Sequence, residues 1–385
     1  MNGKTMIAAV CLGALLLACG GGGADVKPDP GPPARENVLL TGKALMDELE
    51  RFRSANKLPG LSVVTVAGGK IETFTTGMRV IGGTTPISPA DRFQLGSLSK
   101  GVSAMLIARL VEQKKLRWDS NLAELFPAWS PRMPPSLRNV TVEQLLRHRA
   151  GLKRDLDDAD GAALRPLVTG DITVDRATVA NHVLQQAPEF TPNAKYAYSN
   201  LGYMLIGLIA EVAGGGTYAQ SMEQQVFAPL QMEASFGLPE DSGPRALSGH
   251  ELQGATWAPA VYGAEQRLIL AIMEPAGGMM ASMDNYGRYL QEQLRGLQGK
   301  SALLSQDTFR LIHTPVDGYG FGWSVGDDAV LGRYSVHDGS IGTYYAITIL
   351  VPGSNRAVAV SCNCYAPAVA EQMAQFVRQL AFARE

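Results

Sequence analysis

The sequence has no basic block, few cysteines and little charge overall. Its 34 Lys and Arg residues nearly balance 36 Asp and Glu residues, so the formal net charge is −2. Because nucleic-acid-binding proteins concentrate positive charge on one face, this even balance excludes a polyanion as the expected partner. Charged residues make up 18% of the chain and hydrophobic residues 46%, a composition that excludes long disorder and predicts a sizeable core.

Cysteine and histidine are too sparse and too scattered for a zinc site, and we expect no cofactor. Of the four cysteines, Cys11 and Cys19 lie near the N-terminus, and Cys362 and Cys364 lie on a predicted strand near the other end. Side chains two positions apart on a strand point to the same face, where a disulfide would be near the upper limit of the permitted Cα separation. We therefore expect two buried thiols at Cys362 and Cys364, with a disulfide as the alternative.

The N-terminus has the pattern of an export signal. Lys4 precedes an apolar stretch, residues 6–17, that is too short for a permanent membrane span. The stretch ends in Leu16-Leu17-Ala18-Cys19, which resembles the lipobox of bacterial lipoproteins; an ordinary secretory signal is the alternative. We expect residues 1–18 to be removed, Cys19 to be lipidated and the Gly- and Pro-rich residues 19–40 to act as a tether. The lipid would then anchor the protein on the periplasmic side of a bacterial membrane, preferably the outer membrane.

Hydrophobic periodicity divides the remaining chain, residues 41–385, into a sheet-forming part and a helical part. Residues 42–57 have helical spacing, and two β-rich runs, residues 61–67 and 70–76, are joined by Gly68-Gly69, a pair suited to a tight hairpin. The fold class is predicted to be α+β: an antiparallel sheet flanked by helices, built from residues 41–117 and 268–385, with an inserted all-helical subdomain at 118–267. We expect further strands at residues 92–95, 319–325, 330–336, 343–351 and 356–361, and a closing helix at 367–384.

A lysine in a strongly apolar helix is the first chemical signal. Lys100 is the only charged residue from Phe93 to Ala108, and the helix predicted there is apolar on nearly every side. Ser97 lies three positions earlier on the same face, at the start of the helix. Burial favours a neutral amine, which can take the hydroxyl proton of Ser97 as that oxygen attacks a carbonyl. A second Ser-x-x-Lys pair, Ser54 and Lys57, lies on an exposed amphipathic helix and lacks this context.

Two further motifs follow in the chain. Tyr198-Ser199-Asn200 and His337-Asp338-Gly339 are the only Tyr-x-Asn and His-x-Gly sequences, and the second follows a predicted strand. Chance gives all three motifs in this order in about two per cent of cases. No Gly-x-Ser-x-Gly surrounds Ser97 or Ser340, so a Ser-His-Asp hydrolase is not indicated. His148, at the end of a predicted short helix, is expected to be a hydrogen-bonded structural residue.

With these motifs the chain resembles serine β-lactamases and penicillin-binding DD-peptidases, particularly the branch with class C β-lactamases, DD-carboxypeptidases and family VIII esterases. The likeness covers residues 42 to 385. The resemblance implies a serine hydrolase in which Ser97 is acylated and Lys100 accepts its proton. Supporting stretches lie at residues 93–100, 145–152, 198–203, 275–278 and 319–323.

The resemblance also implies roles for the other motif residues. Tyr198 would pass the proton to the leaving group and then activate the deacylating water, alone or with Lys100, and which of the two is the base stays open. Asn200 would hydrogen-bond the amide or ester side of the substrate. The strand with His337 and Gly339 would line the cleft, and the backbone N–H groups of Ser97 and Ser340 would form the oxyanion hole.

One motif departs from the family pattern. Where β-lactamases and penicillin-binding proteins usually have Lys-Thr-Gly or a close variant, this chain has His337-Asp338-Gly339. A partly charged histidine followed by an acid is a poorer site for a substrate carboxylate, so an ester, amide or peptide without that carboxylate is favoured. A true β-lactamase or DD-carboxypeptidase is the alternative, and a catalytically silent lipoprotein that binds peptidoglycan peptides is an alternative of another class. We expect a monomer whose partner is a small-molecule or peptide substrate, with peptidoglycan fragments among the candidates.

Overall fold

A computed structural model describes residues 40–382 of the chain, and its secondary structure follows the predicted order. The predicted signal, the Cys19 lipidation site and all but the last residue of the tether lie outside the described residues. The strands are β1 Gly60–Ala67, β2 Lys70–Gly77, β3 Phe93–Gln94, β4 Ala234–Phe236, β5 His250–Gln253, β6 Thr256–Pro259, β7 Met279–Ala281, β8 Ser324–Asp328, β9 Gly332–Ser340, β10 Tyr345–Val351 and β11 Arg356–Cys362. The helices are α1 Gly42–Ala55, α2 Ser99–Glu112, α3 Leu122–Leu125, α4 Pro135–Arg138, α5 Val142–Leu146, α6 Asp158–Leu164, α7 Ile172–Val183, α8 Asn200–Gly214, α9 Tyr218–Met222, α10 Ala228–Leu230, α11 Ala264–Ile272, α12 Glu274–Gly277, α13 Met283–Leu297, α14 Gln306–Ile312 and α15 Pro367–Phe382.

The main sheet confirms the predicted α+β class. Its six strands are antiparallel in the order β2-β1-β11-β10-β9-β8, so the N-terminal hairpin joins the four C-terminal strands. Gly68 and Gly69 have φ angles of +56° and +85°, which the tight connection between β1 and β2 requires. The register places Val63 of β1 opposite Val360 of β11. Residues from both ends of the chain therefore complete one sheet.

Helices cover both faces of this sheet. On one face α1 and α15 bury a cluster that includes Leu45, Leu49 and Phe376. On the other face α13 contacts β1 and β11, and the central helix α2, which buries eleven of its fourteen residues, belongs to the same hydrophobic core. Such all-round burial is what the apolar sequence of α2 predicts.

The segment 118–267 is mainly helical, as predicted, but it also contains three short strands. β4 pairs with β7, which pairs with β3, so this segment joins a second, three-stranded sheet. β5 and β6 form a separate hairpin. Strands of three or four residues are too short to leave a clear alternation in the sequence, which is why an all-helical subdomain was the simpler expectation.

The expectation of two free thiols at Cys362 and Cys364 is wrong, because the two residues form a disulfide. Their Cα atoms are 5.1 Å apart, well within the range that a disulfide permits. β11 ends at Cys362 and the chain bends at Asn363, so the two cysteines do not have the wider spacing of an extended strand. None of the described helices is both long and apolar enough to cross a membrane.

Candidate active site

The turn between β3 and α2 leaves Ser97 partly exposed in a segment that is otherwise buried. Within the described stretch from Phe93 to Ala108, Ser97 is the one residue that is not buried. Gly96 has a φ angle of +53° and begins the 3₁₀ turn Gly96–Leu98 that precedes α2. The Ser99 hydroxyl donates to the Gly96 carbonyl at 2.7 Å and accepts from the Met279 amide at 3.0 Å. These two bonds hold the turn, and Ser97 with it, against β7.

Lys100 lies beneath Ser97 and is fully buried. Its Nζ lies 3.0 Å from Ser97 Oγ, 2.8 Å from Asn200 Oδ1 and 2.6 Å from the Ala276 carbonyl oxygen. Burial lowers the pKa of Lys100 well below its ordinary value. A neutral amine has two N–H donors and one lone pair, so it satisfies both carbonyl-type acceptors and still has a lone pair for the Ser97 hydroxyl.

Tyr198 reaches Ser97 from the helical side of the cleft. Its hydroxyl donates to Ser97 Oγ at 2.8 Å. Burial raises the pKa of Tyr198 far above its ordinary value, so the phenol stays protonated at neutral pH. The Lys100 Nζ lies 4.8 Å from the centre of the Tyr198 ring. Ser97 thus has an amine and a phenol in hydrogen-bond contact with the same oxygen.

Asn200 is the first residue of α8 and links Lys100 to a surface acid. Its Oδ1 accepts from Lys100, and its Nδ2 donates to Asp155 Oδ1 at 2.7 Å. Ser199 caps α8 by accepting from the Gly202 amide at 3.0 Å. The cap fixes the start of α8, which places the motif Tyr198-Ser199-Asn200 beside Ser97 even though the two are about a hundred residues apart in sequence.

The last residues of β9 border the same cleft as an open strand edge. β8 pairs with β9 only as far as Ser324 and Val336, so residues 337–340 extend past their neighbour. A Cβ atom on Gly339 would lie 2.4 Å from the Ser97 amide nitrogen, and one on Gly96 would lie 2.4 Å from the Ser340 amide nitrogen. This contact between Gly96 and Gly339 brings together the two amides that the resemblance assigns to an oxyanion hole.

Both ring nitrogens of His337 have hydrogen-bond partners, and the side chain is neutral rather than a cation. Its Nδ1 lies 2.7 Å from the Asp338 carbonyl oxygen, which only accepts, so Nδ1 carries the proton and donates. Nε2 then accepts from the Tyr319 hydroxyl at 3.0 Å. Burial and the nearby Lys100 lower the pKa of His337 to about 3. The partly charged histidine expected from the sequence is therefore uncharged at neutral pH.

Asp338 points to the opposite face of β9 from His337 and is partly exposed. Its carboxyl group is hydrogen-bonded by the Tyr345 hydroxyl, and burial raises its pKa. Lys100 and Arg154 act electrostatically on the same carboxyl group. Asp338 therefore lies within electrostatic reach of the residues around Ser97.

The sequence alone did not reveal an aromatic cluster around Tyr198. The His148 ring lies 4.3 Å from the Tyr198 ring between centroids, and Tyr196, Tyr203 and Tyr319 also contact His148. His148 Nδ1 accepts from the Ser199 amide at 3.0 Å, which confirms its expected structural role. Only its place in the family-like stretch 145–152 hinted that this role concerns the site.

Arg154 is a second residue that the motifs did not indicate. Its guanidinium carbon lies 5.0 Å from the centre of the Tyr198 ring, and its Nε lies 3.4 Å from Asp155 Oδ2. Its carbonyl oxygen accepts from the Asn200 amide at 2.8 Å. Arg154 and Asp155 therefore contact Tyr198 and Asn200, but no residue spacing in the sequence signals this.

The turn that precedes β8 packs against α2 at Lys100. The sequence predicted a strand over residues 319–325 instead. β8 begins only at Ser324, and residues 319–323 turn back on themselves. Gly322 has a φ angle of +76°, and a Cβ atom there would lie 2.7 Å from the carbonyl carbon of Lys100. The predicted strand was wrong in its first half because close packing on α2 needs this glycine turn.

The chain matches the family model described as Beta-lactamase over residues 45–382. It is 27% identical to Penicillin-binding protein 4 of Amycolatopsis lactamdurans over 82% of this chain and 84% of that protein. It is 23% identical to Protein flp of Staphylococcus aureus (strain N315) over 84% of this chain and only 64% of that protein. The crystal structure of SurE with D-Leu superposes with a TM-score of 0.69 at 25% identity, covering 89% of this chain and 75% of that one.

The family match extends over most of the chain and includes every element that borders Ser97. The mixed architecture and the serine, lysine and tyrosine around one oxygen agree with that match. Membership supports a serine hydrolase of this family. The chain belongs to the beta-lactamase family.

Proposed function

We propose that the protein hydrolyses an ester, amide or peptide at the cell envelope through an acyl-enzyme on Ser97. The observation that carries the proposal is the pair of contacts on one oxygen: Lys100 Nζ at 3.0 Å and the Tyr198 hydroxyl at 2.8 Å from Ser97 Oγ. A serine hydroxyl needs a base within hydrogen-bond reach to become a nucleophile. Lys100 meets this geometric requirement and its lowered pKa meets the chemical one.

In the acylation step, Ser97 Oγ attacks the carbonyl carbon while its proton moves to the lone pair of Lys100. The bond from carbon to the leaving oxygen or nitrogen then breaks, and the leaving group takes a proton through the Tyr198 hydroxyl. Because its pKa is raised, the Tyr198 phenol passes a proton on without remaining ionised. Lys100 is therefore the group that accepts the proton of Ser97. In deacylation a water attacks the ester of Ser97, and its proton returns along the same path to restore the serine.

Two backbone amides support the developing oxyanion in this proposal. The Ser97 amide lies at the start of the 3₁₀ turn, and the Ser340 amide lies at the open edge of β9. Any side chain at Gly96 or Gly339 would collide with the other segment. Preorganised donors of this kind contribute on the order of 10²- to 10³-fold in rate.

The substrate we propose has no carboxylate that must be recognised at β9. His337 is neutral, and the next residue, Asp338, is an acid. An anion placed there would meet no cation from this strand. SurE, whose fold this chain shares, has been crystallised with D-Leu, which supports esters, amides or peptides of D-amino acids as substrates to test.

A true β-lactamase or DD-carboxypeptidase is the second candidate. It is favoured by the similarity to Penicillin-binding protein 4 of Amycolatopsis lactamdurans, which extends over most of both chains. Comparing turnover of nitrocefin, short-chain p-nitrophenyl esters and D-Ala-D-Ala peptides separates the two candidates. Preferred hydrolysis of nitrocefin or the peptide would replace our proposal with this one.

Labelling tests whether Ser97 forms a covalent acyl-enzyme. A fluorophosphonate probe should label wild type and Ser54→Ala but not Ser97→Ala, because only Ser97 lies beside a buried lysine. Ser54 is the matched control, since it belongs to the exposed second Ser-x-x-Lys pair. No labelling of wild type, together with no turnover of any ester, would instead support a catalytically silent binding protein.

The cell-envelope location is a separate part of the proposal and depends on residues 1–40. Lipidation of Cys19 would anchor the protein through its N-terminal tether. Fractionation of cells expressing wild type and Cys19→Ala tests this location. Membrane association that persists in Cys19→Ala would contradict the lipid anchor, while the proposed chemistry at Ser97 would stand.

A further inference from the structure

A buried arginine on α7 joins three other helices and takes no part in the proposed proton transfers. Arg176 donates through Nε to the Ile272 carbonyl oxygen and through Nη2 to the Ala271 carbonyl oxygen, each at 3.1 Å, where α11 ends. Its Nη1 donates to Glu211 of α8, and its Nη2 also donates to Glu274 Oε2 at 3.0 Å, at the first residue of α12. Because a buried charge is costly to leave without its partners, the guanidinium holds the end of α11 and the start of α12 together.

The helix α12 depends on such contacts because it is a single turn. It has four residues, Glu274–Gly277, too few for a helix to be stable by itself. The Ser103 hydroxyl of α2 lies 2.7 Å from the Pro275 carbonyl oxygen. A Cβ atom on Gly207 of α8 would lie 2.0 Å from Pro275 Cγ, so α8 packs directly against this turn. Contacts from α2, α7 and α8 therefore set where the backbone of α12 lies.

The second carboxylate partner of Arg176 leads to the same turn. Glu211 Oε1 also accepts from the Tyr218 amide at 3.0 Å. The Tyr218 hydroxyl lies 2.8 Å from Ser103 Oγ. It is the donor there, since the other two neighbours of Ser103 Oγ are carbonyl oxygens, which only accept. Arg176 thus reaches α12 by two routes, one direct and one through these three residues.

The third residue of α12 presents its carbonyl group to Lys100. The Ala276 carbonyl oxygen lies 2.6 Å from Lys100 Nζ, and Asn200 Oδ1 lies 2.8 Å from it. Both oxygens only accept, so two hydrogens of Nζ point at them whether the amine is charged or neutral. The remaining position on the nitrogen, a third hydrogen or the lone pair, faces Ser97 Oγ at 3.0 Å. A shift of α12 would release one of the two hydrogens and let the amine turn away from Ser97.

We infer that Arg176 is a positioning residue for the proton acceptor: it fixes α12 so that the Ala276 carbonyl group orients Lys100 toward Ser97. The inference rests on the proposed function, in which Lys100 accepts the proton of Ser97. Arg176 acts through the backbone of α12 and neither takes nor gives a proton itself. Because a misplacement of about 1 Å can cost on the order of 100-fold in rate, loss of this support should lower kcat and leave KM nearly unchanged.

Arg176→Lys and a pair of variants at Glu274 test the inference. Arg176→Lys keeps the charge but cannot reach the end of α11 and both carboxylates at once, so kcat for a p-nitrophenyl ester should fall about tenfold or more with KM within about twofold. Glu274→Leu removes the direct contact with α12 but leaves the ion pair between Arg176 and Glu211, and it should also lower kcat. Glu274→Gln keeps an oxygen that accepts from Arg176 and should hold kcat within about threefold of wild type.

Asp175→Asn is the matched control for stability. Asp175 is the buried acid next to Arg176 on α7, but its carboxylate accepts from the amides of Thr169 and Gly170 instead of contacting α12. Asp175→Asn should lower the midpoint of denaturant unfolding and keep the kcat of wild type. An equal loss of kcat in this control would overturn the inference. So would a Glu274→Leu variant with the kcat of wild type, or a Glu274→Gln variant as impaired as Glu274→Leu.

The rate of fluorophosphonate labelling, measured on the same samples, keeps the two proposals apart. The probe needs an activated serine but no deacylation, so Arg176→Lys and Glu274→Leu should also be labelled more slowly than wild type. Equal labelling rates in wild type and these variants overturn only the role of Arg176. Absence of labelling in wild type overturns the acyl-enzyme itself.

Discussion

The two sides of the cleft differ in how their polar groups are used. On the helical side, a continuous hydrogen-bond network joins Ser97, Lys100, Tyr198 and Asn200. Each of these side chains has a partner within the network. On the strand side, residues 337–340 combine a neutral histidine with an acid whose carboxyl group is hydrogen-bonded by Tyr345. In our proposal the first side moves protons and the second side disfavours substrates with a carboxylate. Changes on the helical side should then affect all substrates, and changes on the strand side should affect some of them.

Lys100→Met gives the largest expected effect and tests the helical side. Without the amine, Ser97 has no proton acceptor, and kcat should fall about 10³-fold for esters and amides alike. Steady-state kinetics on a p-nitrophenyl ester and on an alanine p-nitroanilide provide the measurement. Lys57→Met is the control, since Lys57 belongs to the exposed Ser-x-x-Lys pair, and it should keep full activity. A loss confined to one substrate class would break the proposed division between the two sides.

The sequence predicted these two sides unequally. Lys100 was visible because one charge in a long apolar stretch conflicts with helix burial unless the charge has a use. The main strands and helices were visible through their periodicity and through Gly68-Gly69. The cluster around His148 was not visible, because it gathers residues from segments far apart in sequence whose only shared property is aromatic character.

Local conformation explains the other differences. A disulfide between Cys362 and Cys364 depends on the bend at Asn363, and a single residue outside a strand leaves no periodic signal. The turn at residues 319–323 looks like a strand in composition, but Gly322 in this turn allows the close contact with α2. The neutral state of His337 depends on Tyr319, which the pattern His-x-Gly does not contain.

His148 gives a smaller expected effect and sharpens the helical side of the comparison. Its Nδ1 accepts from the Ser199 amide, and its carbonyl oxygen accepts from the Ala197 amide at 2.8 Å, so it holds the chain on both sides of Tyr198. His148→Leu removes the first of these bonds and should lower kcat by about 10- to 100-fold with little change in KM, because Tyr198 loses its position. Steady-state kinetics on the p-nitrophenyl ester and on the alanine p-nitroanilide measure the effect.

His148→Asn is the matched variant. Asparagine offers an acceptor oxygen and tolerates the φ angle of +55° at this position. It should recover most of the lost kcat, whereas both variants should unfold at lower denaturant concentration than wild type because the ring packing is lost. Equal loss of kcat in the two variants would mean that His148 acts only through stability.

The smallest expected effect concerns the strand side. It is measured on the acid limb of the pH profile of kcat/KM. Activity requires neutral Lys100, so kcat/KM should rise with pH through the pKa of this amine, which burial holds well below its ordinary value. His337, with a pKa of about 3, is uncharged from pH 5 to 9. His337→Gln should therefore leave the limb within about 0.5 pH unit, since no charge is removed. Asp338→Asn removes a negative neighbour that stabilises the ammonium form, so it should move the limb to lower pH. If His337 were a cation, its removal would instead raise the pKa of Lys100 and move the limb to higher pH. Such a shift in His337→Gln would place positive charge on β9 and would restore the strand as a site for substrate carboxylates.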